Sequence, residues 1–130
     1  MGTKRPRDAR QGVKFTIPGR PVPASRPRVT RNGVFYPRRY QDWLDAAKVY
    51  ARQAWLAEEP LSGQVEVYAD FAGARSNADI DNLTKGVLDA ISGIIIQDDK
   101  QVAVLEVYRW RSAACRPPGV LISVRPRGAG

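Results

Sequence analysis

Residues 64–92 have the sequence QVEVYADFAGARSNADIDNLTKGVLDAIS, and this stretch decides the fold that we predict. Apolar and polar residues alternate from Gln64 to Ala72, which is the period of a half-buried strand. Four apolar residues then recur at helical spacing: Leu83, Val87, Leu88 and Ile91. They predict a helix over about residues 82–92, with Gly93 as its C-terminal cap.

The sequence before this stretch predicts a short strand, a basic hairpin and a first helix. The strand is expected over residues 13–17. Asn32-Gly33 is expected to supply the two positive-φ positions of a tight turn, in a hairpin within residues 29–36. Apolar residues at steps of three and four then predict an amphipathic helix over residues 38–57.

The sequence after residue 92 predicts two further strands, over residues 101–111 and 120–125. This order of elements indicates an α+β fold, with a small mixed β-sheet and two main helices. We expect one domain at residues 13–126, which is the size of a single hydrophobic core. Residues 1–12 are predicted to be a disordered basic tail, and residues 127–130 a frayed C-terminus.

The net charge of +8 is distributed unevenly along the chain. Residues 1–40 contain eleven Lys or Arg and one Asp, whereas residues 41–130 contain ten basic and twelve acidic residues. A basic arm beside a mildly acidic body suits a polyanionic partner, because each phosphate contact releases condensed counterions. Nucleic acid is therefore the expected partner, and solvated surface charge is the alternative.

Two features of the composition bear on the compartment. No apolar stretch approaches the roughly 20 residues that a membrane span needs, so we expect no membrane partner. The single cysteine, Cys115, has no second cysteine with which to form an internal disulfide. A reducing cytoplasm is the expected location.

Two acidic clusters suggest a metal site. In extended backbone, Asp79 and Asp81 would extend from one side of the chain, with Ile80 turned into the core. Asp98 and Asp99 follow the helix, and we expect the returning chain to bring a third carboxylate to the same place. Oxygen ligands in a chain without histidine favour Mg²⁺, with Mn²⁺ as a possible substitute.

Each of these acids also has a simpler structural explanation. An aspartate at a helix start is commonly an N-cap, and two adjacent aspartates commonly form a turn. Lys85 and Asp89 have the spacing of a solvated ion pair on a helix. A calcium-binding EF-hand is excluded, because Thr84 and Ala90 stand where that loop requires glycine and glutamate.

The same residues resemble the signature of a known family. Residues 79–85 (DIDNLTK), 88–90 (LDA) and 96–102 (IQDDKQV) are similar to those of the RusA-type Holliday-junction resolvases. Residues 15–19 (FTIPG) also resemble the N-terminal region of that family. The similarity covers roughly residues 13–124, nearly all of the chain expected to be ordered.

This resemblance implies an activity and a set of catalytic residues. It implies a homodimeric RusA-like fold and a Mg²⁺-dependent endonuclease that resolves four-way DNA junctions by paired nicks in recombination and repair. Such enzymes are often encoded by phages or prophages, which places this one in a bacterial or phage-infected cytoplasm. The implied metal ligands are Asp79, Asp81 and Asp99, and the implied essential lysine is Lys85.

Further residues are candidates for supporting roles. Asp89 and Asp98 would contact the metal ligands without binding the metal themselves, and a purely structural role is the alternative for both. Six arginines are candidates for DNA phosphate contacts: Arg20, Arg26, Arg28, Arg31, Arg38 and Arg39. For the three tryptophans, Trp43, Trp55 and Trp110, core packing is favoured over a dimer interface.

Two other functions remain open on the sequence. One is a non-catalytic basic nucleic-acid-binding protein, whose acids only cap a helix and line a turn. The other is a nuclease that acts on other branched DNA, which would keep the same active site and change only the substrate.

Overall fold

The computed structural model describes residues 11–26, 28–35, 37–111 and 116–127, without the side chains of Arg28 and Phe35. Most of the predicted N-terminal tail, the last three residues of the predicted frayed C-terminus and Cys115 lie outside these residues. None of the described helices is long and apolar enough to cross a membrane.

A four-stranded mixed sheet forms the centre of the fold. Its strands are β1 (Val13–Pro18), β4 (Val65–Ala72), β5 (Val102–Trp110) and β6 (Gly119–Pro126). They lie in the order β1-β6-β4-β5; β4 and β5 are parallel, and the other two pairs are antiparallel. Together with helices α1 (Arg38–Ala54) and α2 (Ile80–Ile91), this confirms the predicted α+β class and the mixed sheet.

The two helices and the alternate residues of β4 share one hydrophobic core. Val65, Val67, Ala69 and Phe71 are buried, as the alternation in this strand predicts. The helices approach closely at Gly86, where an added Cβ would lie 3.2 Å from the Trp43 ring. Burial of these apolar side chains fixes α2 against the sheet and so fixes the position of its first turn.

The basic hairpin forms, but its turn differs from the prediction. Strands β2 (Arg28–Thr30) and β3 (Gly33–Phe35) pair with Thr30 opposite Gly33, so Arg31 and Asn32 occupy the turn. Gly33 has a φ of 124°, whereas Asn32 does not have a positive φ. The Thr30 hydroxyl accepts a hydrogen bond from the Asn32 amide at 3.2 Å and donates to the Gly33 carbonyl at 3.2 Å. These local bonds favour a turn one residue earlier.

One boundary of each helix differs from the prediction. Helix α1 ends at Ala54 and not near residue 57, because Trp55 turns into the core and its indole N–H donates to the Glu59 carbonyl at 3.1 Å. Helix α2 begins at Ile80, two residues earlier than predicted. Trp43 and Trp55 are buried, but Trp110 is 53% exposed on the edge strand β5, so core packing was wrong for Trp110.

Candidate active site at the start of helix α2

Asp79 occupies the N-cap position of α2, but its carboxylate makes no capping hydrogen bond. Its backbone carbonyl accepts the first helical bond, from the Leu83 amide at 3.0 Å. The side chain is exposed, beside a helix terminus whose free N–H groups favour negative charge. The simple explanation of Asp79 as an N-cap therefore accounts for its backbone and leaves its carboxylate available.

Asp81 lies in the first turn of α2 and is also exposed. The expected extended arrangement of Asp79 and Asp81 was wrong, because only Asp79 has extended backbone. Ile80 starts the helix and is 42% exposed, so it is not turned into the core. Both carboxylates nevertheless belong to the same helix terminus, within three consecutive residues.

Lys85 is joined to α1 through Asp89. The Lys85 ammonium lies 3.7 Å from one carboxylate oxygen of Asp89, and the Tyr40 hydroxyl donates to the other oxygen at 2.6 Å. Tyr40 is buried, and burial together with the bond to Asp89 raises the pKa of its hydroxyl. Tyr40 therefore stays protonated as a donor and fixes Asp89, which in turn lies beside the ammonium group.

The segment 21–26 crosses the first turn of α2. The Ala24 amide donates to the Asn82 carbonyl at 2.9 Å, and Ala24 is buried. A cavity of about 490 Å³ on one side of the crossing is lined by Asp79 and by three arginines: Arg26, Arg39 and Arg75. A second cavity of about 580 Å³ is lined by Arg26, Tyr40, Lys85 and Asp89. Cationic and acidic side chains thus meet beside α2, from its first turn to Asp89.

The other predicted DNA-contacting arginines are more scattered. Arg20, Arg31 and Arg38 are exposed and line neither cavity, and Arg38 lies 3.9 Å from Asp42. The structure does not describe the side chain of Arg28. Of the five predicted arginines whose side chains the structure describes, Arg26 and Arg39 line the cavity beside Asp79.

Asp99 lies at the opposite end of the sheet from Asp79. Strands β4 and β5 are parallel, with Val65 opposite Val102, so the turn before β5 lies beside the start of β4. The Gln101 side chain pins this turn, since it donates to the carbonyls of Leu61 and Gly63 at 2.8 Å. Asp79 instead follows the other end of β4, and the 12-residue helix α2, about 18 Å long at roughly 1.5 Å per residue, runs between the two acids.

The prediction that Asp99 returns to Asp79 and Asp81 within one chain is therefore corrected. Among the residues that the structure describes, no group of three acids, cysteines or histidines is placed to hold a metal ion. The spacing of 17 to 20 residues between the two acidic clusters is long enough for a helix and a chain that runs back along the sheet. Because β5 is parallel to β4, that chain ends beside the start of β4 and not beside Asp79.

Asp98 is engaged by its own backbone. Its carboxylate accepts from the Lys100 amide at 2.8 Å, and the Gln101 side chain completes a capping box around the short 3₁₀ turn Asp99–Gln101. The bond from the Lys100 amide lowers the pKa of the Asp98 carboxyl. A structural role accounts for Asp98.

A known protein family matches most of this chain. The family model described as "Endodeoxyribonuclease RusA" matches residues 18–125, most of the chain. This chain belongs to the RusA family.

A similar curated protein is the "Uncharacterized protein YqaN" of Bacillus subtilis (strain 168). It is 29% identical over an alignment 138 positions long, which covers 87% of this chain and 95% of that protein. The RusA match supports endodeoxyribonuclease activity on branched DNA, and nucleases of the RusA family are generally dependent on a divalent metal.

Three arginines of this RusA-family chain were missed by the sequence analysis. Arg75 lines the cavity beside Asp79, and Arg109 and Arg111 donate hydrogen bonds to the loop that precedes Asp79. They belong to the mildly acidic part of the sequence, where no cluster of basic residues draws attention to them. The alternation of β5 places Arg109 on the helix side of the sheet, but contact with residues 31 to 34 positions earlier has no signature in a single sequence.

Proposed function

We propose that this protein is a Mg²⁺-dependent endodeoxyribonuclease that resolves four-way DNA junctions by paired nicks in recombination and repair. The observation that carries the proposal is the first turn of α2 in a RusA-family chain. There the uncapped Asp79 carboxylate adjoins a cavity lined by Arg26, Arg39 and Arg75. A phosphodiester beside a metal-binding carboxylate requires this mixture of charges.

The donor set fits a hard divalent ion. Asp79 and Asp81 are exposed carboxylates at a helix terminus, and the chain contains no histidine. Carboxylate oxygens suit Mg²⁺ and Mn²⁺. When bound, the ion supplies Lewis-acid chemistry, which lowers the pKa of an attacking water and stabilises the leaving 3′-oxygen.

Asp99 is proposed to reach this site from a second copy of the chain. Strand β5 is at the edge of the described sheet, and its side chains Leu105, Tyr108 and Trp110 are 44%, 51% and 53% exposed. Antiparallel pairing of two β5 strands about a two-fold axis would set the start of each strand against the end of the other. Asp99 of one copy would then lie at the same end of the sheet as Asp79 of the other.

The remaining residues of the site act on the substrate. Lys85, held beside Asp89, would contact the scissile phosphate or the attacking water and offset charge that develops in the transition state. Arg26, Arg39 and Arg75 would hold the DNA backbone. A two-fold dimer with two such sites matches the approximate two-fold symmetry of a four-way junction, which needs two related nicks.

The deciding experiment compares substrates and metals. Purified protein is incubated with a labelled four-way junction, a flap substrate and a matched linear duplex, each with Mg²⁺ or with EDTA. Paired nicks restricted to the junction with Mg²⁺ support the proposal. Asp81→Asn should lose cleavage and keep junction binding, whereas Asp45→Asn, an exposed change on α1, should behave as the wild type.

The shared site has its own test. Asp81→Asn and Asp99→Asn chains are co-expressed with different tags, and the mixed dimer is isolated. A site built across two chains leaves the mixed dimer one complete set of carboxylates, so it should nick one strand of a cruciform plasmid. If the mixed dimer is as inactive as either parent, each site belongs to one chain and the β5 arrangement is wrong.

A non-catalytic DNA-binding protein is the second candidate. The separation of Asp99 from Asp79 in one chain favours it, since two carboxylates alone hold a metal less well than three. It predicts junction binding in the same experiment without cleavage in any lane. Cleavage of the flap substrate with an intact junction would instead indicate a nuclease for other branched DNA.

A further inference from the structure

We propose that Arg109 is a positioning residue that holds the loop before Asp79, and thereby the Asp79 carboxylate, in its metal-binding place. The inference rests on the proposed function, because it assigns a role to a residue behind the same site. Arg109 lies near the end of β5 and is only partly exposed.

The contact is made through one guanidinium group. One terminal nitrogen of Arg109 donates to the carbonyl of Ala78, and the other donates to the carbonyl of Arg75. These two residues are themselves joined, since the Ala78 amide donates to the Arg75 carbonyl at 3.0 Å. Arg109 therefore binds both ends of a single turn, and the residue that follows this turn is Asp79.

Arg111 extends the same contact. Its guanidinium donates to the Ser76 carbonyl at 3.2 Å, so three carbonyls of the four-residue turn accept from arginines at the end of β5. Arg111 is exposed and makes one bond where Arg109 makes two. Arg109 is thus the principal anchor and Arg111 a weaker one.

The environment is consistent with a structural cation. Burial lowers the pKa of Arg109, the charge of Arg111 lowers it further, and Asp79 raises it. An arginine remains protonated at neutral pH under such influences, because its ordinary pKa is above about 12. Lysine is a poor substitute here, since a single ammonium does not present the planar fork that spans two carbonyls.

The consequence for the site follows from geometry. Asp79 has no capping bond that would fix its side chain, so the turn before it limits where the carboxylate lies. A site binds its metal less tightly when one ligand is displaced by even a small distance. Mutation of the residues that orient the ligands commonly lowers metal affinity by roughly 10- to 100-fold. Loosening the turn should therefore weaken Mg²⁺ binding more than DNA binding.

The experiment compares Arg109→Lys with Arg125→Lys in the full chain. Arg125 pairs with Glu66 at 2.8 Å at the opposite end of the sheet from the turn, so it controls for the loss of a guanidinium. Mg²⁺ alone is titrated by calorimetry, amide exchange is followed in residues 73–79, and junction cleavage is measured across Mg²⁺ concentrations.

For Arg109→Lys we expect faster amide exchange in the turn and a Mg²⁺ half-saturation raised by about tenfold. Junction affinity should change less than about twofold, because no phosphate contact is removed. Arg125→Lys should match the wild type in all three measurements. Wild-type Mg²⁺ binding by Arg109→Lys overturns the inference, whether or not the turn loosens.

Two further outcomes keep the tests separate. If Arg109→Lys does not fold, Arg111→Gln is used instead; it should raise the Mg²⁺ half-saturation by a smaller factor, and no change overturns the inference. If the wild type binds Mg²⁺ but cuts no DNA, the proposed nuclease function fails. The calorimetric comparison of the variants still decides the role of Arg109.

Discussion

Asp79 and Asp98 both occupy N-cap positions, and their carboxylates are used differently. Asp98 accepts a hydrogen bond from the Lys100 amide and belongs to a complete capping box. Asp79 caps α2 by position but makes no side-chain capping bond. A carboxylate engaged by its own backbone is less available to a ligand, so this difference separates a structural acid from a candidate metal ligand.

The sharpest test of this contrast is the pair Asp79→Asn and Asp98→Asn. Loss of a metal-binding charge at Asp79 should lower junction cleavage by at least about a hundredfold, with thermal stability nearly unchanged. Asp98→Asn should retain cleavage within a few-fold. Equal cleavage rates for the two variants would abolish the proposed distinction.

The next effect concerns Tyr40 and Asp89, which position Lys85. Tyr40→Phe removes the donor to Asp89, leaves the aromatic packing in place and should lower the cleavage rate by about tenfold. The Mg²⁺ half-saturation should stay the same, since the hydroxyl is remote from Asp79 and Asp81. Tyr50→Phe, a change at an exposed position on α1, is the matched control. A shift in Mg²⁺ half-saturation with an unchanged rate would place Tyr40 behind the metal instead.

A smaller effect is expected for DNA affinity. Arg26 lines both cavities beside α2, whereas Arg20 lines neither. Arg26→Gln should weaken junction binding uniformly across sequences and reduce the slope of log affinity against log salt by about one. Arg20→Gln should change the slope less. Binding measured from low to moderate salt distinguishes the two.

The smallest effect is the pH dependence of Asp98. Because its folded pKa lies below the ordinary value of 3.8, the carboxylate stabilises the fold above that pH, and this contribution is lost as the pH falls through the lowered pKa. Asp98→Asn should therefore lower the melting temperature by a few degrees at neutral pH, and the difference should vanish in strong acid. A difference that persists in acid would mean that the capping bond does not depend on charge.

The elements of the fold were largely predictable from local patterns. Alternation placed β4 to within one residue, and helical spacing identified both helices, since these periods reflect which side chains must be buried. The boundaries that failed depended on particular contacts, such as the bond of Trp55 to Glu59 and the local bonds of Thr30. Such hydrogen bonds compete with the turn and helix preferences of the residues, and whether they form depends on the three-dimensional arrangement of the chain.

The candidate site was only partly predictable. The sequence alone determined the acids, Lys85 and their likeness to one nuclease family, because residue types and short spacings are properties of the chain. Only the tertiary structure decided that Asp79 keeps an uncapped carboxylate, that Arg109 grips the turn before it and that Asp99 lies at the far end of the sheet. The physical reason is the parallel pairing of β4 and β5, which forces the chain to travel the length of α2 before it can return and so separates residues that the sequence places close together.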